Sequence, residues 1–436
     1  MTTRPASEVS FSEAFRYWLK LGFVSFGGPT GQIALMHTEL VERLRWISEY
    51  RFLHALNYCM LLPGPEATQL AIYVGWLMHK TWGGIMAGAF FVLPSVFILM
   101  ALSWIYMAYG QVPVIAGIFY GIKPAVVAIV IFAAYRIGTR AIRNVATLAI
   151  AAGAFAAIFL LDLPFPMIVI GAGILGFLGA RVWPEKFALP GSHGNNGGEG
   201  ALIDDHADQP EHTKISWWRL ARYVVVGVAF WALPMAVLAL WQGWGGTLTQ
   251  MGWFFTKAAL LTFGGAYAVL PYVYQNAVGH YQWLTATQMI DGLALGETTP
   301  GPLIMIVAFV GFVGGWQVSG LGVPGAVLGN LVASYFTFLP SFLFILVGAP
   351  FIEATHGSLR FTAPLTGITA AVVGVVLNLA VFFGFHVFFP QPGRFEWFSA
   401  LMGLVALLGL WRFNWGIIPV VLGGGLVGAA FKLLGG

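Results

Sequence analysis

The chain has 436 residues, 58% of them hydrophobic and 9% charged, with a formal net charge of +4 and a mean hydropathy of +0.81. Such a balance excludes an ordinary soluble domain. Apolar stretches long enough to cross about 30 Å of hydrocarbon as helices recur along it, which excludes barrel strands and predicts an all-α polytopic membrane protein.

From the N-terminus, MTTRPASEVSFSEAF has no apolar region ending in a small-residue cleavage site, so the first span is expected to direct insertion. Hydrophobic stretches follow near 14–36, 56–79, 84–108, 113–135, 145–161, 164–182, 221–242, 250–275, 289–313, 322–348, 363–388, 397–411 and 415–434, about thirteen in all, the short ones open to a re-entrant reading. The single cysteine, Cys59, excludes an intrachain disulfide and reads as a small core residue. Residues 185–214, EKFALPGSHGNNGGEGALIDDHADQPEHTK, carry six of the 17 acids and read as a disordered linker. Its His193, His206 and His212 are read as solvated rather than metal-binding, and no cofactor is expected. The domain plan is a first membrane repeat at 1–183, a cytoplasmic linker at 184–218, a linking transmembrane helix at 219–248 and a second repeat at 249–436. Basic residues gather at Arg4, Arg16, Lys80, Arg136, Arg140, Arg143, Arg181, Lys186, Lys214, Arg219 and Arg222. If each stretch crosses once, all fall on one side, which the positive-inside rule makes cytoplasmic together with the N-terminus and linker.

Displacing the chain by 237 residues lays Lys20 on Lys257, Phe26-Gly27-Gly28 on Phe263-Gly264-Gly265, Trp46 on Trp283, Leu56 on Leu293, and Pro63-Gly64-Pro65 on Pro300-Gly301-Pro302. Further on the displacement becomes 246, as though nine residues were inserted near WQVSGLGVPG, and Leu93-Pro94-Ser95 falls on Leu339-Pro340-Ser341. The chain reads as a tandem duplication with one extra span between the copies. If each copy holds six stretches, that span inverts the second copy. Two inverted structural repeats are an architecture that secondary transporters build around a midplane site.

Proline inside a helix costs on the order of 3 kcal/mol and glycine roughly 1 more. Hydrocarbon offers no water to repair the lost bonds, so helices broken at FGG and PGP are expected to line a cavity within the protein. Each restarting helix presents free N–H groups and the positive end of its dipole, which suits an anion. Lys20 and Lys257, each about two turns before an FGG, are the expected symmetry-related cations for a dianion, with snorkelling to the interface as the alternative. Gln69 is expected to donate an amide hydrogen bond one turn past the first PGP, and Thr298 and Thr299 to cap the helix that starts at the second. Glu66 and Glu297 flank the two PGPs and would repel a dianion when ionised. Each is therefore read as neutral, ion-paired, or a proton carrier coupled to transport. Lys123, whose equivalent is Thr369, breaks the symmetry and is a weaker candidate.

The long segment from FGGPTGQIALMHTE through LLPGPEATQ in one copy, with LTFGGAYAVLPYVY and LGETTPGPLIMIVAFVGF in the other, resembles the long-chain chromate transporter (CHR) family. The resemblance covers both copies. It implies a two-repeat inner-membrane carrier that exports chromate from the bacterial cytoplasm and confers chromate resistance, without enzymatic activity. It carries over Gly27, Gly28, Pro63, Gly64, Pro65, Gly264, Gly265, Pro300, Gly301 and Pro302 as substrate-binding positions. The expected partners are chromate or sulfate, membrane lipids and a second copy of the chain, with no nucleic acid. GPEATQ has no counterpart in GPLIMI and GQIALMHTE becomes AVLPYVYQN, so the first copy is the more polar at these points and one dominant anion site biased toward it is expected. The rival readings are a carrier of sulfate or another tetrahedral oxyanion, an intramembrane enzyme acting on lipid phosphate, and a passive channel or scaffold.

Overall fold

The computed structural model describes residues 9–26, 28–187, 211–263, 265–354, 362–391 and 393–434. Among these it is helical throughout, apart from one isolated bridge between Gln391 and Arg394.

In the first copy α1 (Phe11–Val24) starts on Ser10, whose hydroxyl accepts the Glu13 N–H, and stops before the first FGG. α2 (Gly28–His37) runs on into a π-helical segment, Thr38–Arg43, and α3 (Glu49–Cys59) starts on a Ser48 cap. α4 (Glu66–Tyr109) restarts after the first PGP and doubles back on itself. Its backbone leaves helical geometry at His79 and at Lys80, where φ is +55°. A side chain on Gly75 would run into the Gly83 carbonyl, so the two arms lie against each other. α5 (Pro113–Ala141), α6 (Val145–Leu161) and α7 (Phe165–Val182) complete the copy, and a single turn, α8 (Pro184–Phe187), ends it. α9 (Trp217–Gln242) joins the copies. It turns its apolar surface outward, with Leu240 88% and Trp218 80% exposed, as a helix bathed in lipid does.

The second copy repeats the series. α10 (Thr247–Leu260) ends before the second FGG, and α11 (Ala266–Tyr274) runs on into a π-helical segment, Gln275–His280. α12 (Ala286–Thr298) starts on a Thr285 cap, and a 3₁₀ turn, Leu303–Met305, leads into α13 (Ile306–Gln317) after the second PGP. α14 (Val323–Ala354), α15 (Thr362–Phe388), α16 (Trp397–Arg412) and α17 (Ile417–Leu433) follow. Both π segments, both caps and the positive-φ residues Arg45 (+52°) and Gln282 (+53°) are 237 positions apart. Where α4 doubles back tightly, α13 and α14 are joined by a loop with Gly320 and Gly322 at positive φ, which is where the extra residues lie.

Four expected spans are not continuous. The stretches 14–36, 56–79, 250–275 and 289–313 are each divided at FGG or PGP. α1, at 14 residues, reaches about 21 Å, short of the roughly 30 Å hydrocarbon thickness. Among the described residues six helices are long and apolar enough to cross: Glu66–Tyr109, Pro113–Ala141, Phe165–Val182, Trp217–Gln242, Val323–Glu353 and Ala363–Phe388. Mean hydropathy does not register a glycine pair or a Pro-Gly-Pro, so the division escapes a count of apolar windows.

The copies interlock. α17 and α16 of the second pack on α5 of the first, while α6 and α7 of the first pack on α15 of the second. Ile345, Ala349 and Ile352 of α14 join the core formed by α1–α4, and Val92, Val96 and Leu99 of α4 join the core that α5–α7 share with the second copy.

Residues 188–210, with His193 and His206, lie outside the described residues, but both ends of the segment read as a linker are folded. Phe187 is buried. The 3₁₀ turn Glu211–Thr213 sets the His212 ring edge-on to Trp76 with Nε2 at 3.2 Å from the Trp76 carbonyl, and burial holds that imidazole below its ordinary pKa.

Candidate functional site

Gly28, Gly64, Gly265 and Gly301 have φ of +69°, +126°, +98° and +102°, a backbone that residues with a side chain rarely adopt. Gly27 and Gly264 lie outside the described residues. At each break the chain turns and a new helix begins.

The freed backbone groups are satisfied across the copies. The Gly64 N–H donates to the Thr262 carbonyl at 2.7 Å, and the Gly301 N–H donates to the Ser25 carbonyl at 2.7 Å. Ser25 and Thr262 are equivalent, as are Gly64 and Gly301, so each PGP is fastened to the other copy's FGG. Side chains finish the turns. Ser95 of α4 donates to the Pro300 carbonyl, and Gln69 donates to the Pro63 carbonyl at 2.8 Å. The fully buried Gln32 of α2 donates its amide to the Gly301 carbonyl and, at 3.4 Å, to that of Ser25. Each such bond contributes a net of about 0.5–1.5 kcal/mol, and leaving the group buried and unpaired would cost about 1–3.

Where the four breaks meet there is a small pocket, and every residue lining it belongs to the first turns of a restarting helix. Pro29 and Gln32 come from α2; Pro65, Glu66 and Ala67 from α4; Gly265 and Ala266 from α11; Pro302, Leu303 and Ile304 from the turn before α13. No side chain caps the starts at Pro65, Gly265 or Pro302, so their first N–H groups are left for an occupant. The starts of four helical segments line one volume, and the start of a helix favours negative charge near it.

The expected side chains are distributed unevenly. Glu66 lines the pocket and is 8% exposed; among the described residues nothing bonds or pairs with it. Glu297 is also buried and accepts the Tyr267 hydroxyl. Among the described residues neither is in a salt bridge. Gln69 is fully buried and committed to its own turn, with Oε1 unpartnered. Thr298 and Thr299 do not cap the next helix. Their hydroxyls donate back into α12, to Ala294 and Leu295 and to Gly296, because α12 persists to Thr298 and the next start lies beyond Pro302. Lys20 is exposed on α1, and the half-buried Lys257 holds its ammonium 5.8 Å from the centre of the Trp253 ring. Neither lysine lines the pocket. Lys123 lies 3.7 Å from Asp291, which also accepts the Tyr106 hydroxyl at 2.9 Å. Gln32 was not singled out in the sequence. Its one signal is that Val269 stands at the equivalent position, a polar-for-apolar exchange beside a matched FGG.

The fold is that of a multi-pass, all-helical membrane protein whose two halves interlock, with the starts of four helical segments around one pocket. The family model described as chromate transporter matches the chain twice, over residues 12–177 and 249–429. The chain is 32% identical to a chromate transport protein of Pseudomonas aeruginosa and 30% identical to one of Cupriavidus metallidurans, each over 425 residues that span 96% of this chain and 92% of the relative. A probable chromate transport protein of Synechococcus elongatus is 28% identical over 407 residues, 93% of this chain and 91% of that one. No solved structure matches. The chain belongs to the chromate transporter family, in its two-repeat form.

Proposed function

We propose that the protein exports chromate from the bacterial cytoplasm across the inner membrane and so confers chromate resistance. The anion is held between the copies by the first N–H groups of the helices that restart after FGG and PGP. One observation carries this reading: four helix starts line a single pocket, and none of the three whose caps are described is capped by a side chain. Family membership and the names of the relatives support the substrate. Gly28, Gly64, Gly265 and Gly301 shape the backbone, Gln32 ties α2 to the opposite turn, and Lys20 and Lys257 stand outside the site.

The exchange of equivalent contacts, Gly64 with Thr262 and Gly301 with Ser25, is what a two-fold axis between copies generates. It supports inverted repeats that rock about a fixed site. The basic clusters support a cytoplasmic N-terminus and linker. A dianion leaving a negative interior gains about 4.6 kcal/mol per 100 mV, so export proceeds down the membrane potential.

Uptake of labelled chromate into inside-out vesicles, with sulfate as competitor and with or without a potential, tests substrate, direction and driving force. Accumulation that collapses with the potential is expected. Uptake equal to that of vesicles lacking the protein refutes the reading, and complete displacement by equimolar sulfate moves the substrate to tetrahedral dianions in general.

A further inference from the structure

The described residues include four buried carboxylates, and three have partners. Glu353 pairs with Arg51 at 3.0 Å and accepts the Tyr73 hydroxyl; Asp291 pairs with Lys123 and Tyr106; Glu297 accepts from Tyr267. Glu66 has none, and it is the one that lines the pocket. A carboxylate left unpaired in a protein interior is strongly disfavoured unless something else stabilises its charge. Among the described residues that line the pocket, the source is the helix starts, the same positive ends that would hold the substrate.

We propose that Glu66 is the site's resident anion and must take up one proton before a dianion can be held. This deepens the reading of the pocket as an oxyanion site and rests on it. In the empty pocket the ionised carboxylate has no hydrogen-bond partner among the described residues and shares the pocket lining with the helix starts. A dianion entering the same volume meets a like charge, and proton uptake removes it. The neutral carboxyl then becomes a hydrogen-bond donor to a substrate oxygen, while the N–H groups turn to the anion. The proton comes from the side on which the anion enters and leaves with it on the other. Each cycle therefore moves a net single negative charge outward, and the potential still drives export.

The neighbouring groups leave this role to Glu66. On α3 the Cys59 thiol is near enough to feel its charge, and Tyr58 lies on the same helix. On α2 and its π extension His37 contacts Glu42 and Glu49, and Glu39 pairs with Arg43. α1 brings Lys20, which is exposed, and α11, α12 and α14 bring the partnered Tyr267, Glu297, Asp291 and Glu353. In the second copy Leu303 occupies the position of Glu66, so one proton per cycle is the expected count.

The test is calorimetric binding of chromate to the purified full chain near pH 8, in two buffers of different ionisation enthalpy, for wild type and Glu66→Gln. Wild type should take up about one proton per chromate, and its affinity should fall up to about tenfold per pH unit above neutrality. Glu66→Gln should bind with no proton uptake and an affinity flat over that range. Chromate's own protonation is common to both proteins, so the difference isolates the carboxyl. Wild-type binding without proton uptake overturns the proposal and leaves the oxyanion site standing. Retained pH dependence in Glu66→Gln does the same. Absence of any chromate binding by wild type overturns the site reading and the proposal with it. Should Glu66→Gln fail to fold, Glu66→Leu, which puts there the residue type that the second copy carries at Leu303, takes its place in the same comparison.

Discussion

The two copies share a backbone and differ in chemistry. Both break at FGG and PGP with glycines at positive φ, both carry a π segment at the same place, and each fastens its PGP to the other's FGG through a 2.7 Å hydrogen bond. The side chains at the pocket are another matter. The first copy contributes Gln32 and Glu66 there and Gln69 behind it; the second has Val269, Leu303 and Ile306 at those positions. In return the second copy holds the Tyr267–Glu297 pair, where the first has Thr30 and Met60. Duplication supplied a frame of four helix starts, which needs only main chain and glycine. The polar side chains at the pocket lie on one side of that frame, so the frame is double and its polar lining single.

The largest expected effect concerns how each helix leading into a PGP is anchored to the other copy. α3 uses Arg51, whose side chain is 2% exposed and 3.0 Å from Glu353 on α14. α12 uses Asp291, 3.7 Å from a Lys123 whose side chain is 24% exposed on α5. Removing one partner of a buried ion pair costs about 3–5 kcal/mol, and solvent screening makes a partly exposed partner cost much less. Arg51→Leu should therefore lower the melting temperature in detergent several degrees more than Lys123→Leu. Equal shifts would mean that both copies are fastened with the same strength, and the comparison would break there.

Next comes the frame itself. A side chain on Gly301 would overlap Ser95 Oγ, which is committed to the Pro300 carbonyl. On Gly64 it would lie 2.6 Å from Ser341 Oγ, which has no partner and can rotate aside, and 2.7 Å from Gln69 Nε2. Both substitutions carry the strain of positive φ, about 1–3 kcal/mol, and overpacking adds roughly 1–3 more at the less yielding place. Gly301→Ala should reduce vesicle transport below Gly64→Ala by about fivefold or more, since 1.4 kcal/mol is a factor of ten. The opposite order would show that the first turn, not the second, is the tighter.

These outcomes depend on features that were legible in the sequence to different degrees. The breaks were legible because proline and glycine act locally, and a fixed displacement picked them out of a uniformly apolar background. The folds of the breaks were not, since an apolar window looks the same whether it crosses or is divided. Two matched lysines two turns before the FGGs gave a helical position without saying which side of the helix faces protein. Thr298 and Thr299 looked like caps for the next helix because a hydroxyl beside Pro-Gly-Pro serves a helix on either side equally well on paper. Gln32 was hidden more deeply. Its partner Gly301 is 269 residues away, and only a folded chain brings an amide from one copy against a carbonyl of the other.

The smallest expected effect separates the two amides of the first copy. Gln32 lines the pocket and ties Ser25 of its own copy to Gly301 of the other, whereas Gln69 closes the turn at Pro63 within one copy. Replacing either by leucine leaves a buried carbonyl short of a donor, at about 1–3 kcal/mol. The cost should be read out differently. Gln32→Leu should weaken chromate binding by roughly 5–10-fold, about 1–1.4 kcal/mol, because the position of α2 relative to the opposite helix starts is then loosened. Gln69→Leu should lower thermal stability and leave the binding constant near that of wild type, because the turn it closes is also held from outside by the Gly64–Thr262 bond. If both variants lose affinity equally, the amides do one job, and the asymmetry of the pocket reduces to Glu66 alone.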